Sequence, residues 1–161
     1  MQQISARALS AEEFAPFGDV LETAGEPDKI INQGLCGRFH DRAKLDFGPG
    51  GRAGISLFSA VPRSLPYRLE MVERHPDGSQ AFVPMHQNPW LVIVAGAGDR
   101  PGTIRAFLAA PGQGVNLHRG TWHGVLTPLL EPGLFAVVDR IGTTANLEEH
   151  WLPEPVMITA A

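Results

Sequence analysis

Two short segments of the sequence carry side chains that can bind a metal ion or transfer protons. The first segment holds Glu73, His75 and Gln80, and the second holds His118 and His123. Imidazole nitrogens together with carboxylate and amide oxygens form a donor set that suits a divalent ion such as Ni, Mn, Fe or Zn. Histidine also suits proton transfer near neutral pH, because its ordinary pKa is about 6.5. The residue types therefore predict a metal or acid–base centre, provided that the fold brings the two segments together.

The first segment is predicted to be a β-strand with its odd-numbered side chains on one face. The odd-numbered residues of 67–71 are apolar, which predicts that this face is the core face, and Glu73 and His75 continue the alternation. A carboxylate in an apolar interior is costly unless it has a cation, donors or a metal. Two interpretations stay open: Glu73 belongs to a functional centre, or the strand twists and Glu73 pairs with Arg74 or Arg140.

Turn-forming residues separate short apolar segments along the chain. The 161 residues include 18 Gly and 14 Pro, and 43% are hydrophobic and 19% charged. This composition excludes a helical bundle and a disordered chain. Strands are predicted at 52–60, 67–75, 80–85, 89–95, 103–109, 114–117, 121–127 and 133–140. Many short strands without a long helical pattern predict an antiparallel sandwich or barrel.

One short helix is predicted near the N-terminus. Ser10 and Glu13 form a capping-box pattern, in which the serine side chain binds the amide of Glu13 and the glutamate reaches back, and Pro16 ends the helix early. No repeat, low-complexity tract or linker divides the sequence, so residues 1–161 are expected to form a single domain. The loop-rich segment 25–50 is predicted to be an arm, a lid or an exposed connection.

Charge and cysteine content narrow the classes of partner and compartment. The formal net charge is −4 and the 13 Lys and Arg residues form no basic run, which argues against nucleic acid as a partner. The sequence has no apolar stretch of about 18 residues and no signal-peptide pattern, so neither a membrane span nor export is expected. The single cysteine, Cys36, cannot form an internal disulfide. We therefore expect a soluble cytoplasmic protein.

The spacing of the two ligand-bearing segments resembles the paired motifs of the cupins, small β-barrels that build a metal site from two sequence motifs. The resemblance rests on two strings, Glu73-x-His75-x4-Gln80 and Gly112-x5-His118-x-Gly120-x2-His123. Glu73 stands where the first motif usually has a histidine, and Gln80 replaces its glutamate. Because of these departures, a cupin that has lost its metal is an alternative.

A closer resemblance covers residues 9–149. It rests on Ile31-Asn32-Gln33-Gly34, Arg38-Phe39-His40-Asp41, Glu73-Arg74-His75-Pro76-x-Gly78-Ser79-Gln80-Ala81-Phe82, Gly112-Gln113-Gly114-Val115-Asn116-x-His118-Arg119-x-x-Trp122-His123 and Val138-Asp139-Arg140. These strings resemble the bacterial ureidoglycolate lyases, in which the departures from the general cupin motifs are expected. The fold that this resemblance implies is a mainly β, cupin-type antiparallel β-barrel, jelly-roll-like, with a short N-terminal helix.

The resemblance also implies an activity: a cytoplasmic homodimeric lyase that eliminates urea from the small molecule ureidoglycolate, giving glyoxylate in allantoin degradation. Divalent nickel is the cofactor that it implies, with a metal-free enzyme as the alternative. Two other functions stay open, namely another small-molecule cupin enzyme, such as an isomerase or a metal-dependent oxygenase, and a ligand-binding cupin without chemistry. Cupin folds host all three, so the fold alone does not decide between them.

Elimination of urea needs a general base, a general acid and an anchor for the substrate carboxylate. The predicted metal ligands are Glu73, His75, Gln80 and His123, and the predicted catalytic residues are Glu73, His118 and His123. Arginine binds a carboxylate through two parallel hydrogen bonds, so arginines are candidate anchors. The residues predicted to bind substrate are Arg119 and Arg140, together with Asn32, Arg38 and His40, which are expected to close the site or to reach a neighbouring subunit.

Overall fold

Short strands make up most of the secondary structure in the computed structural model, which describes residues 1–160. In chain order the elements are β1 (Gln2–Ser5), β2 (Arg7–Ala8), α1 (Ala11–Phe14), β3 (Gly18–Leu21), β4 (Lys29–Ile31), β5 (Cys36–Arg38), β6 (Arg52–Ser59), β7 (Tyr67–Arg74), β8 (Gln80–Pro84), β9 (Trp90–Ala95), β10 (Arg105–Ala109), β11 (Gly114–Leu117), β12 (Trp122–His123), β13 (Thr127–Pro128), β14 (Leu134–Ile141) and β15 (Glu148–Thr159).

These strands form two sheets that face each other. The larger sheet has the order β1-β15-β7-β12-β9-β10-β2, with β13 paired to β9, and the smaller has the order β3-β11-β8-β14-β6. β4 and β5 pair only with each other. Neighbouring strands are antiparallel except for β1 with β15 and β2 with β10. The predicted mainly β, cupin-type barrel of antiparallel strands, jelly-roll-like and with a short N-terminal helix, is confirmed.

The central strand β9 is buried on both sides of the larger sheet. The even-numbered residues of 90–95 belong to the core between the sheets, where they join Phe82, Val115 and Val137 of the smaller sheet. The odd-numbered residues of 90–95 belong to a second apolar cluster on the opposite side of the larger sheet. Burial on both faces explains why this strand is a continuous apolar run instead of an alternating one.

The second cluster corrects one detail of the predicted β7 strand. Leu69 and Val72 both belong to this outer cluster although they are three residues apart, so strict alternation is not kept along β7. Glu73 is directly opposite His123, which is directly opposite Val94 of the core between the sheets. Residues opposite each other in an antiparallel pair share a face. Glu73 therefore faces the interior of the barrel, on the side away from Leu69.

The strands predicted from residues 52–140 are present, with the segment 121–127 divided into β12 and β13. The strands that were not predicted are β1 to β5 and β15. Strand β15 contains Pro153 and Pro155, which argue against a strand in a sequence. Its pairing with β7 shifts register between Trp151 and Val156, and this irregularity accommodates both prolines.

The N-terminal helix forms only half of the predicted capping box. The Ser10 hydroxyl accepts a hydrogen bond from the Glu13 amide at 3.2 Å. The Glu13 carboxylate does not reach back, because the Arg7 guanidinium binds it at 2.7 and 2.9 Å. Phe14 at the end of the helix is fully buried and packs edge-on against Phe107. Nowhere in residues 1–160 is a helix long and apolar enough to cross a membrane.

The loop-rich segment 25–50 divides into an exposed hairpin and a strip of chain that returns to the smaller sheet. The hairpin consists of β4 and β5. In the returning strip, the Lys44 amide donates to Asp19 at 2.8 Å, and Asp46 and Ser79 exchange backbone and side-chain hydrogen bonds. The strip thus supports the turn that leads into Gln80.

Candidate metal centre

One carboxylate and two imidazoles converge on the inward side of the larger sheet. The ligand atoms of Glu73, His75 and His123 all lie within 4.8 Å of one another, and the two imidazole ring centroids are 5.2 Å apart. Glu73 and His123 are directly opposite each other on β7 and β12, and His75 follows the end of β7. The structure therefore brings together residues from both predicted segments.

The hydrogen bonds of the two imidazoles leave the same ring nitrogen free in each. Nδ1 of His75 lies 2.9 Å from the carbonyl oxygen of Asn146, and Nδ1 of His123 lies 2.9 Å from that of Gly124. A carbonyl oxygen only accepts, so each Nδ1 carries the hydrogen and each Nε2 keeps a lone pair. Both Nε2 atoms are buried with no hydrogen-bond partner among residues 1–160. Metal-binding histidines are held in this way.

Gln80 supplies a third buried polar atom without a partner. It lies on β8 directly opposite Leu117, which lines an apolar cavity together with His123, so its side chain faces the same interior. Its Nε2 donates to Oδ2 of Asp139 at 3.1 Å. Its Oε1 is buried and accepts no hydrogen bond within the part of the chain that the structure describes.

Burial sets the charge states at this centre. Burial raises the pKa of Glu73, and the neighbouring Glu149 raises it further, although His75 opposes this. Burial also lowers the pKa of His123 to about 4, with a smaller contribution from the charge of His75. His123 is therefore neutral at pH 7 and its Nε2 lone pair is available.

A divalent cation would lower the pKa of Glu73 and engage the lone pairs that otherwise have no partner. The donors at this centre are one carboxylate, two imidazole nitrogens and one amide oxygen, which suit a borderline ion. Glu73, His75 and His123 thus form a possible binding site for a divalent metal ion.

Two main-chain connections hold the centre in place. The Gly120 amide donates to the His75 carbonyl at 3.1 Å, which ties the turn before His123 to the end of β7. Gly120 has a φ of +78°, a conformation that glycine adopts without strain. Asn146 accepts two hydrogen bonds. Its main-chain oxygen accepts from Nδ1 of His75, and its side-chain oxygen accepts from the Asp77 amide at 2.7 Å. The backbone thereby fixes the ring of His75.

His118 directly follows β11, and its side chain lies on the outer side of the smaller sheet, with that of Asn116. Its Nε2 is 3.1 Å from Oδ2 of Asp19, and the same oxygen accepts from Nδ2 of Asn116 at 3.0 Å. Val115 and Leu117, which alternate with these residues, face the interior. Burial alone would raise the pKa of Asp19, but hydrogen bonds from the Lys44 amide, Asn116 and His118 outweigh it and lower the pKa. The structure therefore separates His118 from the predicted metal ligands.

Two of the three arginines predicted to bind substrate, Arg119 and Arg140, are engaged elsewhere. Arg140 points to the outer side of the smaller sheet, where it donates to the carbonyl oxygens of Phe47 and Pro49. Arg119 is 3.2 Å from the carboxylate of Asp46. Both guanidinium groups therefore hold residues 46–49 against the outer side of the smaller sheet.

Asn32, Arg38 and His40 are exposed and lie on or directly after the β4–β5 hairpin. Asn32 forms its turn with a φ of +55°, and the His40 amide donates to Asp28 at 2.8 Å. Within residues 1–160, no hydrogen bond or ion pair joins these three side chains to Glu73, His75 or His123.

Two residues near the centre were not predicted to take part in it. The sequence did contain a signal for Asp139, because Asp139 lies in the family-like string Val138-Asp139-Arg140, but only Arg140 of that string was predicted to act at the site. Asn146 had none, since it holds His75 through a main-chain carbonyl that any residue would provide.

Comparisons with known proteins identify the family of the chain. A family model described as ureidoglycolate lyase matches residues 1–159. A ureidoglycolate lyase of Rhodobacter capsulatus is 57% identical over 159 residues, covering 98% of this chain and 99% of the relative. One of Mesorhizobium japonicum is 51% identical, covering 92% and 93%, and ureidoglycolate lyase 2 of Rhizobium meliloti is 48% identical, covering 96% of both. Matches of this extent and identity show that the chain belongs to the ureidoglycolate lyase family.

Proposed function

We propose that this protein is a ureidoglycolate lyase, which eliminates urea from ureidoglycolate and releases glyoxylate, and that residues 1–161 form the single domain responsible. The observation that carries the proposal is the interior cluster of Glu73, His75 and His123 in a chain that matches this family over residues 1–159. The cluster provides what elimination requires, namely a group that exchanges protons and a fixed polar centre that binds the substrate.

The elimination converts the substrate hydroxyl into a carbonyl as the carbon–nitrogen bond breaks. The hydroxyl proton leaves, its oxygen forms the carbonyl of glyoxylate, and the departing urea nitrogen takes up a proton. Without a bound ion, burial raises the pKa of Glu73, so its carboxylate accepts a proton more readily than an exposed one and suits both transfers. We assign the proton to a carboxylate oxygen of Glu73 between the two transfers.

We assign nickel as the metal, held by Nε2 of His75, Nε2 of His123, Oε1 of Gln80 and the carboxylate of Glu73. These atoms include three buried acceptors that have no partner among the described residues. When bound, the ion would supply positive charge that stabilises the alkoxide developing on the substrate. With or without the ion, the two histidines and Gln80 would position the substrate relative to Glu73.

We further propose that the active form is a homodimer in the cytoplasm. The outer face of the smaller sheet exposes Ile55 and Leu57 of β6 and Val83 of β8, with exposed fractions of 75%, 65% and 41%. These side chains are neighbours across β14, so they form one apolar surface that a second protomer would cover. The single cysteine, Cys36, makes no disulfide, which suits a reducing compartment.

The carboxylate of the substrate needs an arginine that is not already occupied. Arg38 forms no ion pair within residues 1–160, whereas Arg119 binds Asp46. Arg38 lies on the exposed β4–β5 hairpin, whose turn also exposes Leu35. We assign Arg38, with Asn32 and His40, to the centre of the partner subunit in the dimer.

The proposed activity is tested by following glyoxylate and urea after the purified protein is mixed with ureidoglycolate. Spontaneous breakdown is subtracted with a blank, and the reaction is run with and without added nickel. One urea per glyoxylate, formed faster than in the blank, supports the lyase. A rate equal to the blank in both conditions overturns it, and ammonia in place of urea indicates hydrolysis instead.

A further inference from the structure

The orientation of the Gln80 amide is determined by one neighbour. Asp139 lies directly opposite Gln80 on β14, so the backbone places the two side chains next to each other on the same face. A carboxylate only accepts hydrogen bonds, so the nitrogen end of the amide must be the end that meets Asp139, at 3.1 Å. The oxygen end is then directed away from Asp139, and it is buried without a partner among residues 1–160.

The direction of this amide decides what Gln80 can do at the centre. An amide oxygen can bind a cation, whereas an amide nitrogen carries two hydrogens and repels one. Without a partner for its nitrogen, the side chain would lose the preference for one of its two orientations. A carboxylate at the nitrogen end also polarises the amide, which places more negative charge on the oxygen.

Asp139 and Arg140 are adjacent but act on opposite sides of the sheet. Arg140 donates to the carbonyl oxygens of Phe47 and Pro49 on the outer side. Asp139 faces inward with Gln80, because alternate residues of β14 point to opposite faces. Of these two neighbours, therefore, it is Asp139 whose side chain faces the interior.

We propose that Asp139 is a positioning residue, which holds the Gln80 amide with its oxygen directed to the centre formed by Glu73, His75 and His123. The inference rests on the proposed metal site, in which Gln80 is a ligand. Asp139 itself acts through Gln80 and contacts neither the ion nor the substrate.

The test uses the full chain with Asp139→Leu, which replaces both acceptor oxygens by methyl groups on the same branched skeleton, and Asp139→Asn, which keeps one acceptor oxygen. Gln80→Leu and the double variant with Asp139→Leu complete a cycle, and Asp99→Leu is the control for loss of an exposed carboxylate. Two quantities are measured after circular dichroism has shown that each variant folds. They are the Gln80 side-chain amide signals in an NMR spectrum of the metal-free protein, and the affinity for nickel by calorimetry at fixed pH.

We expect Asp139→Leu to shift the Gln80 amide proton signals and to weaken nickel binding about tenfold, a usual cost of losing a hydrogen bond to a ligand. Asp139→Asn should restore most of the affinity, and Asp99→Leu should change neither quantity. In the Gln80→Leu background, Asp139→Leu should have no further effect, because the two residues act as one unit.

Two results would overturn the inference. The first is an equal loss of affinity when Asp139→Leu is made in the Gln80→Leu background, since Asp139 would then act directly on the ion. The second is a Gln80 amide signal that Asp139→Leu does not alter. If the wild-type protein bound no nickel, the proposed metal site would fall, and the amide signals of the metal-free protein would still decide whether Asp139 orients Gln80.

Discussion

Glu73 and His123 are directly opposite each other on two antiparallel strands, and their ligand atoms lie within 4.8 Å together with those of His75. This cross-strand pair joins the two segments whose residue types indicated chemistry. It also places a carboxylate with a raised pKa beside an imidazole that stays neutral. The consequences of this arrangement can be measured.

Replacement of Glu73 should remove proton transfer while the fold remains. We expect Glu73→Gln to lower kcat about 100-fold or more, because a positioned acid or base contributes about that factor. Thermal stability should stay equal or rise, since a neutral amide costs less to bury than a carboxylate. Glu70→Gln on the same strand is the control, because Glu70 is exposed and pairs with Arg68. Equal kinetics for both variants would contradict the assignment of Glu73.

Nickel should stabilise the folded protein through the two histidines. At a concentration about 100 times Kd, binding adds about 2.7 kcal/mol, which raises Tm by about 5–10 °C for a domain of this size. His123→Ala should abolish most of this shift, because it removes one buried Nε2 acceptor. The His150 ring packs against Trp122 and is not a predicted ligand, so His150→Ala should retain the shift in Tm. Thermal unfolding with and without nickel tests this, and an unchanged shift in His123→Ala would show that the ion binds elsewhere.

Asp19 should make stability depend on pH in the acid range. Its pKa is lowered in the folded protein, so its ionised form contributes stability above its ordinary pKa, and this contribution is lost as the pH falls through the folded pKa. Asp19→Asn should therefore be less stable than wild type at about pH 6, and the difference should shrink towards about pH 2.5. Urea unfolding at several pH values measures this. The exposed Asp99→Asn variant is the control, and a difference that stays constant with pH would refute the role of Asp19.

Replacement of His118 tests whether this histidine has a structural or a chemical role. Since it binds Asp19 on the outer face, His118→Gln should cost about 1 kcal/mol of unfolding free energy and less than about a tenfold loss in kcat. Unfolding and turnover are measured on the same preparation. A loss of about 100-fold in kcat with unchanged stability would instead assign proton transfer to His118.

The assignment of Arg38 to a partner subunit can be tested by mixing two inactive variants. Glu73→Gln and Arg38→Ala are expected to be inactive alone, because one lacks the proton carrier and the other the carboxylate anchor. After unfolding and refolding together in equal amounts, half of the dimers are mixed and each carries one complete site, so about a quarter of the wild-type activity should return. Refolding each variant alone is the control. No recovery would show that Arg38 and Glu73 act within the same subunit, which would contradict the assignment of Arg38 to the partner.

Much of the fold was predictable because its signals are local. The strand β9 is an apolar run bounded by turn residues, and Pro76 and Gly78 mark the turn between His75 and Gln80. Strand β15 was not predictable, since Pro153 and Pro155 argue against a strand. They fit only because the pairing with β7 shifts register there.

The candidate site was predictable in its ligand types and less so in its geometry. Glu73, His75 and His123 were predicted from residue type and motif spacing, and they converge. His118 was expected to transfer protons at the same centre, but it follows the end of β11 and its side chain meets Asp19 on the outer side of the sheet. Asp139 was not selected, although its register with Gln80 places the two side by side.

The sequence by itself determined where the strands and turns lie and which side chains are able to bind a metal, because alternation, turn residues and donor chemistry are properties of neighbouring residues. Only the tertiary structure decided which of these side chains meet. The face that a residue presents depends on strand register and on irregularities such as the one in β15, and these are set by pairing between distant segments. For that reason Glu73 meets His123 while His118 and Arg140 face outward.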